Sequence, residues 1–289
     1  SDSKKKNDVI DLSIGQPMHD TPEFVSKIII KEKNKWKLYP PLAGIKSLRE
    51  AYIGWLQKRF SVNKFFNENN IMPLSGTREG LFSIAMALNV KKVCIPNPFY
   101  QVYLGATIHS RLNKVFLTTN NLNSYLISLK KLKTILKEGP CLVYFCSPSN
   151  PQGKIAEYNY IEELIKIVRF YNSVLVIDEC YIDIYYQKKP VGTIEICESL
   201  GSSLSNVLIF HSLSKRSNVA GLRSGFVVGD SSIINHFKKL RSYSAPTIPI
   251  PIQIASRELW KDEKHVELNR IKYKKKLLYA DKVFNDFNF

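Results

Sequence analysis

Asn206–Asp230 reads NVLIFHSLSKRSNVAGLRSGFVVGD, and the alternation of apolar and polar runs in it decides the fold. Val207–Phe210 has the length and content of a buried strand, and it breaks into the polar Ser212-Leu213-Ser214-Lys215. Arg223 follows the lysine by eight positions, and a second apolar run, Phe226–Val228, comes at once. A lysine held between two core strands is not a solvated surface charge. Two hydroxyls before it and an arginine after it form a set that grips a phosphate dianion and leaves the amine free for chemistry. The covalent reading is a Schiff-base lysine beside a phosphate-bearing cofactor, which points to pyridoxal phosphate. The alternative is a hairpin or loop in which a lysine falls by chance, in a chain rich in lysine.

Outward from this stretch, the chain alternates strands with helices. Val93–Pro96, Val115–Leu117, Leu142–Cys146 and Val174–Ile177 read as strands; Tyr100–Ile108, Ser124–Leu136 and Tyr160–Tyr171 read as the helices between them. Continuous apolar strands separated by helices predict a mostly parallel sheet sandwiched by helices, an α/β fold. Ligands gather at the carboxyl ends of such strands. Asn97-Pro98-Phe99-Tyr100 follows the first, with an aromatic placed to lie on a planar ring or to pack in the core. Ser147–Gly153 follows the third as a stiff turn presenting Asn150, and the fourth ends in Asp178-Glu179-Cys180-Tyr181. A carboxylate at the end of a buried strand needs a partner, because desolvation disfavours its charge.

Earlier in the chain, Val9–Leu12 alternates and leads into Ser13-Ile14-Gly15-Gln16-Pro17, where glycine permits close approach to a ligand or simply makes a turn. Tyr39-Pro40-Pro41-Leu42-Ala43-Gly44 is a rigid loop before an amphipathic helix over Lys46–Phe60. Ile71–Leu74 reads as a short strand, and Ser75–Gly80 carries it into a helix over Leu81–Leu88. Backbone N–H groups at that helix start make an anion site, or only a capped terminus. After Asp230, helices are expected over Ile233–Leu240 and Ile252–Trp260, with the proline-rich joint Pro246–Pro251 between them and a lysine-rich helical stretch beyond.

With 289 residues, 44% apolar and 23% charged, the composition is that of a globular chain with room for a large core. No apolar stretch approaches a membrane span, and a cytoplasmic protein is expected. The five cysteines form no C-x-x-C pair and read as reduced, mostly buried small hydrophobes. The net charge of +17 raises nucleic acid as a partner, but the basic runs are dispersed and sit in no nucleic-acid module, which favours a lysine-biased solvated surface. His19, His109, His211, His236 and His265 are scattered without metal-ligand spacing, so no metal is expected.

Taken in order, Y-x-x-x-x-G, S-G-T-R, N-P-x-Y, S-x-x-N-P-x-G, D-E-x-Y and S-x-S-K with a later R-x-G resemble the fold type I pyridoxal-phosphate enzymes, within them the class I/II aminotransferases. The resemblance covers about residues 14 to 229. Ser212–Phe226 and Asn97–Thr107 are most similar to succinyldiaminopimelate aminotransferases of lysine and peptidoglycan biosynthesis. The resemblance implies that Lys215 bonds the cofactor aldehyde and shuttles the substrate proton. Asp178 would pair with the pyridinium nitrogen, Asn150 and Tyr181 would donate to the phenolic oxygen, and Tyr100 would stack on the ring. The phosphate would be held by the N–H groups of Thr77 and Arg78, by Ser212, Ser214 and Arg223, and by Tyr39 from a second subunit. Gly15 would lie against the substrate carboxylate.

Its implied activity is a ping-pong amino transfer between glutamate/2-oxoglutarate and an N-succinyl amino-keto acid, in a homodimer with shared active sites. Residues 1–38 would be an N-terminal arm with part of a small domain, 39–245 the large cofactor-binding domain, and 246–289 the start of a C-terminal small-domain region. That small domain is expected to be incomplete: the family's carboxylate-clamping arginine lies in it, and the ending DKVFNDFNF reads as the interior of a larger protein. The alternatives are a general aspartate or aromatic aminotransferase, a β-lyase on the same scaffold, and a cofactor-binding regulatory module without catalysis.

Overall fold

The computed structural model describes residues 15–244 and 246–287; the run Val9–Leu12 and Ser13-Ile14 lie outside them. A short helix α1 (Phe24–Lys31) precedes α2 (Lys46–Phe60), and β1 (Ile71–Leu74) leads into α3 (Thr77–Ala87). There follow β2 (Lys92–Asn97), α4 (Gln101–His109), β3 (Asn113–Thr118), α5 (Leu129–Leu136), β4 (Cys141–Cys146), α6 (Tyr158–Phe170) and β5 (Val174–Asp178). The rest is α7 (Thr193–Ser199), β6 (Val207–Ser212), the single turn α8 (Leu213–Arg216), β7 (Gly225–Gly229), α9 (Ser231–Ser244), α10 (Ile250–Lys261) and α11 (Lys264–Asp286).

The strands form one seven-stranded sheet in the order β1-β7-β6-β5-β4-β2-β3. β2 pairs with β3 and β4 in parallel, and β4, β5 and β6 continue the parallel set. β7 runs antiparallel to both β6 and β1. The connection from β6 to β7 holds only α8 and a 3-10 turn at Ala220–Leu222, so the chain doubles back beside β6.

Side-chain alternation explains the two layers of helices. On β6, Val207 and Ile209 join the core beneath α2, α6 and α10, whereas Leu208 and Phe210 join the core beneath α3, α4 and α9. Both faces are therefore buried, which is why this strand reads as a continuous apolar run. Tyr52 of α2 stacks on Phe226 at 4.2 Å, and Trp260 of α10 meets the Tyr52 ring edge-on at 5.7 Å. The Lys46–Phe60 helix stands as expected; it stops at Ser61, whose φ is 54°.

One helix starts later than its pattern suggests. The expected Ser124–Leu136 helix begins at Leu129, because Ser124 and Tyr125 take left-handed backbone (φ 53° and 57°) and Ser128 accepts the Lys131 N–H as the N-cap. α1 and α7 carry no signal strong enough to have been read from sequence. Among the described residues no helix is long and apolar enough to cross a membrane, and no group of three or more His, Cys, Asp or Glu side chains is placed to hold a metal ion. The five cysteines are free thiols.

Candidate active site

The parallel strands end on one side of the sheet, and a cavity of about 1150 Å³ opens there. Its walls come from six regions distant in sequence: the segment from Gly15, the start of α3, the loop into α4, the turn after β4, the turn after β5, and Ser212–Arg223. Of the residues singled out from sequence, Gly15, Thr77, Arg78, Tyr100, Asn150 and Asp178 line it, as do Tyr181, Ser212, Ser214, Lys215 and Arg223. Tyr39 does not. It is fully exposed, away from the cavity of its own chain.

Lys215 is the third residue of α8, not a strand residue. Ser212 ends β6 and accepts the Ser214 N–H at 3.1 Å, so a capping bond fixes the turn that projects the lysine. Its Nζ contacts the Gly15 carbonyl and sits 5.8 Å from the Tyr181 ring centroid. Burial lowers the lysine pKa from its ordinary value, only partly opposed by Cys180, so the amine is more readily neutral and nucleophilic than a surface lysine.

Asp178 ends β5, 5% exposed. Its Oδ1 accepts the Cys180 N–H at 3.0 Å and its Oδ2 accepts the Tyr103 hydroxyl at 3.3 Å. Burial pushes the carboxyl pKa up, and those two donors pull it back. Both of these donors are uncharged, so the carboxylate is oriented without being neutralised by them. Tyr103 and Cys180 were missed in sequence. Tyr103 lies one helical turn after Tyr100 and stacks on Tyr144 at 4.5 Å, and that core contact aims its hydroxyl at the carboxylate.

Donors suited to an anion line the same cavity. Gly76 takes φ +82°, which brings the first N–H groups of α3 to the cavity with no side chain capping them. Arg223, itself left-handed at φ 54°, donates from Nη1 to the Ala220 carbonyl at 2.9 Å and lays the rest of its guanidinium against Gly76. Arg78 donates from Nε to the Tyr100 hydroxyl at 2.8 Å and so orients that ring. A buried acid, an oriented aromatic, a group of donors suited to an anion and an amine whose pKa burial lowers share one cavity, and these residues fit pyridoxal phosphate.

His211, beside this segment, is a core side chain in contact with Trp55 and Phe226. Burial drives its pKa down to about 3.

A family model for aminotransferase class I and II matches residues 7–286. Among solved structures, an aminotransferase from Neisseria meningitidis superimposes with a TM-score of 0.91 at 34% identity, covering 98% of this chain and 73% of that one. The 4-dedimethylamino-4-oxo-anhydrotetracycline transaminase OxyQ of Streptomyces rimosus is 28% identical over 92% of this chain and 70% of its own length. An LL-diaminopimelate aminotransferase of Dehalococcoides mccartyi is 29% identical over 86% of this chain and 64% of its own. The chain thus spans roughly two thirds of the length of these curated relatives.

Proposed function

The chain belongs to the class I and II aminotransferase family, whose members depend on pyridoxal phosphate, and from that footing we propose that it moves an amino group between glutamate/2-oxoglutarate and an N-succinyl amino-keto acid related to diaminopimelate. One observation carries the reading: Lys215, Asp178 and the cradle of Gly76, Thr77 and Arg223 line a single cavity. The diaminopimelate relative supports the substrate class by the name it bears. The same scaffold serves aspartate or aromatic substrates when its wall chemistry differs.

Bound in this cavity, pyridoxal phosphate supplies an aldehyde that accepts the amino group and a protonated ring that withdraws the electron pair left when a Cα proton departs. Lys215 Nζ, lowered in pKa by burial, holds that proton and returns it. Asp178 would keep a proton on the ring nitrogen, its carboxylate oriented by the Tyr103 hydroxyl and the Cys180 N–H. Tyr100, oriented by Arg78, would cover a ring face, and Asn150 and Tyr181 would donate to the ring oxygen. The N–H groups of Thr77 and Arg78, the hydroxyls of Ser212 and Ser214, and the Arg223 guanidinium would hold the phosphate. Gly15 lies against the substrate carboxylate.

Tyr39, exposed on its own chain, suits delivery to the phosphate of a second copy, which makes the working unit a homodimer with shared sites, in the cytoplasm. We assign residues 39–245 as the cofactor-binding domain, 1–38 as an arm with part of a small domain, and 246–289 as the start of the small-domain region, whose first helix, α10, packs on α2 of the large domain.

The test is the absorbance of the purified protein mixed with glutamate, N-succinyl-LL-diaminopimelate, aspartate and phenylalanine in single turnover. Loss of the cofactor band with glutamate and the N-succinyl compound, faster than with the others, is expected. A band unmoved by every donor ends the aminotransferase reading; a faster response to aspartate or phenylalanine replaces the substrate.

A further inference from the structure

The turn that carries Lys215 takes its shape from its neighbours. α8 is four residues long, and a lone helical turn is unfavourable by itself, since it fixes several residues for one hydrogen bond. One end is tied to the segment entering β7, where the Leu213 N–H donates to the Ser224 carbonyl at 3.1 Å. The other end is gripped by the junction of α10 and α11 on three consecutive residues. Arg216 donates from Nη2 to Glu263 Oε1 at 2.6 Å, Ser217 Oγ lies 2.8 Å from His265 Nε2, and Asn218 Nδ2 donates to Asn269 Oδ1 at 3.0 Å.

Asp262 Oδ2 faces both the backbone N–H and Nδ1 of His265, at 3.0 and 2.6 Å; a carboxylate only accepts, so the ring donates from Nδ1. Burial favours the neutral ring against the pull of Asp262, and its Nε2 then accepts the Ser217 hydroxyl. An acid, an imidazole and a serine in this order activate a nucleophile in hydrolases. Here Ser217 is 0% exposed, so no acyl substrate reaches its oxygen, and the chain of bonds is a strut. Asn269, 5% exposed, works beside it: its Nδ2 donates to the Arg216 carbonyl at 3.4 Å, and its Oδ1 also meets His19 Nδ1 at 2.7 Å. His19 belongs to the segment from Gly15, whose carbonyl touches Lys215 Nζ. One side chain of α11 thus joins the segment that carries the amine to the segment that touches it.

We propose that His265 and Asn269 are positioning residues for amino transfer: acting through the turn after Lys215, they fix where its Nζ stands. Neither lines the cavity. A long side chain magnifies any tilt of its base, and a displacement of about 1 Å at the reacting atoms costs about 10²-fold in rate. α10 and α11, which follow the last strand, thereby support a site that the strands before them build. The inference rests on Lys215 being the reactive amine.

The test uses the full chain as parent, His265→Ala, His265→Gln and Asn269→Ala. Glutamine keeps an acceptor for the Ser217 hydroxyl; alanine does not. Without cofactor, hydrogen exchange read by mass spectrometry is expected to quicken at least tenfold over residues 213–218 in both alanine variants and to stay unchanged in β5. With cofactor, and with the amino donor that the parent answers fastest, both are expected to lose at least tenfold in single-turnover rate while the apparent Kd stays within threefold. His265→Gln stays within threefold of the parent in every readout. Ser217→Ala, which deletes one hydroxyl, is expected to move exchange and rate at least threefold and serves if the larger changes do not fold. Unchanged exchange over residues 213–218, faster exchange that spreads to β5, a loss that falls on Kd, or glutamine no better than alanine overturns the proposal. A parent that answers no amino donor ends the aminotransferase reading and this role with it; an active parent whose variants keep its rate ends this role alone.

Discussion

Gly76 and Arg223 share one volume. A Cβ on residue 76 would overlap Arg223 Nη2 and lie 2.7 Å from its Cζ, and the glycine φ of +82° is one that side chains rarely adopt. The bare backbone at 76 is what lets the guanidinium reach the start of α3. Gly76→Ala is therefore expected to displace Arg223 and weaken pyridoxal-phosphate retention by about tenfold, the effect of roughly 1.4 kcal/mol. Fluorescence titration of the apoprotein with the cofactor measures it. Unaltered affinity would mean that the cradle does not hold the phosphate.

Asp178→Asn separates the two consequences of a buried acid. Removing a charge disfavoured by burial leaves stability equal or raises it, while loss of the proton-holding carboxylate lowers the single-turnover rate by about 10²–10⁴-fold. Thermal denaturation and stopped-flow absorbance on the same sample read both. Destabilisation together with an unchanged rate would mark Asp178 as structural.

Lys215→Ala is expected to fold, because the lysine side chain makes one backbone contact and lies over one ring. It should abolish the cofactor adduct fixed by borohydride, read by mass spectrometry. Amino transfer should fall by about 10²–10⁴-fold or more, the usual contribution of a general base. An adduct of equal yield in the variant would move the covalent attachment to another lysine.

Much of this site was legible because its residues sit where strands end. Asp178, Lys215 and Asn150 each follow an apolar run that cannot be mistaken for surface, and each lines the cavity. What escaped the sequence depends on packing between elements. Tyr103 reads as one more apolar-face residue of α4 until the sheet brings Asp178 to its hydroxyl, and the His19–Asn269–Asn218 cluster joins positions 250 residues apart. The start of α5 was misjudged for a local reason: left-handed Ser124 and Tyr125 override the favourable helical pattern around them.

Beneath the cavity, Glu179 and His211 are both 1% exposed, with Oε2 and Nε2 3.6 Å apart. Burial holds the Glu179 carboxyl up at about 7, from an ordinary 4.5. The folded chain thus keeps a proton that the unfolded chain releases above 4.5, so this group's contribution is greatest at low pH and is lost as pH rises through about 7. Glu179→Gln keeps an acceptor for the Thr193 N–H, now 2.8 Å from Oε1, and does not titrate. Its stability relative to the parent is expected to grow by about 1–3 kcal/mol between pH 4.5 and 8 and to stay level outside that range. His211, whose contribution is lost as pH falls from 6.5 to about 3, is present in both proteins and largely cancels. Urea denaturation across pH checks the slope; a flat difference would place the Glu179 titration outside this window.

Arg241 of α9 is 2% exposed; it donates from Nε and Nη2 to the two Glu79 oxygens at 2.9 Å each, and from Nη1 to the Pro73 carbonyl at 3.0 Å. Arg241→Ala is expected to cost about 3–5 kcal/mol, the consequence of leaving a carboxylate without its partner. Denaturant unfolding measures the loss, and a cost below about 1 kcal/mol, the size of a solvated surface pair, would refute the burial argument.

The pairing of β1 with β7, Ile71 opposite Val228, sets an order of events during synthesis. Gly76 and Thr77 leave the ribosome long before Lys215 and Arg223, and the one strand partner of β1 is β7, the last strand made. Long-range closure of this kind is slow and entropically costly. The first strand made thus waits for the last to find its neighbour, and residues that share the cavity are separated by most of the time it takes to synthesise the chain.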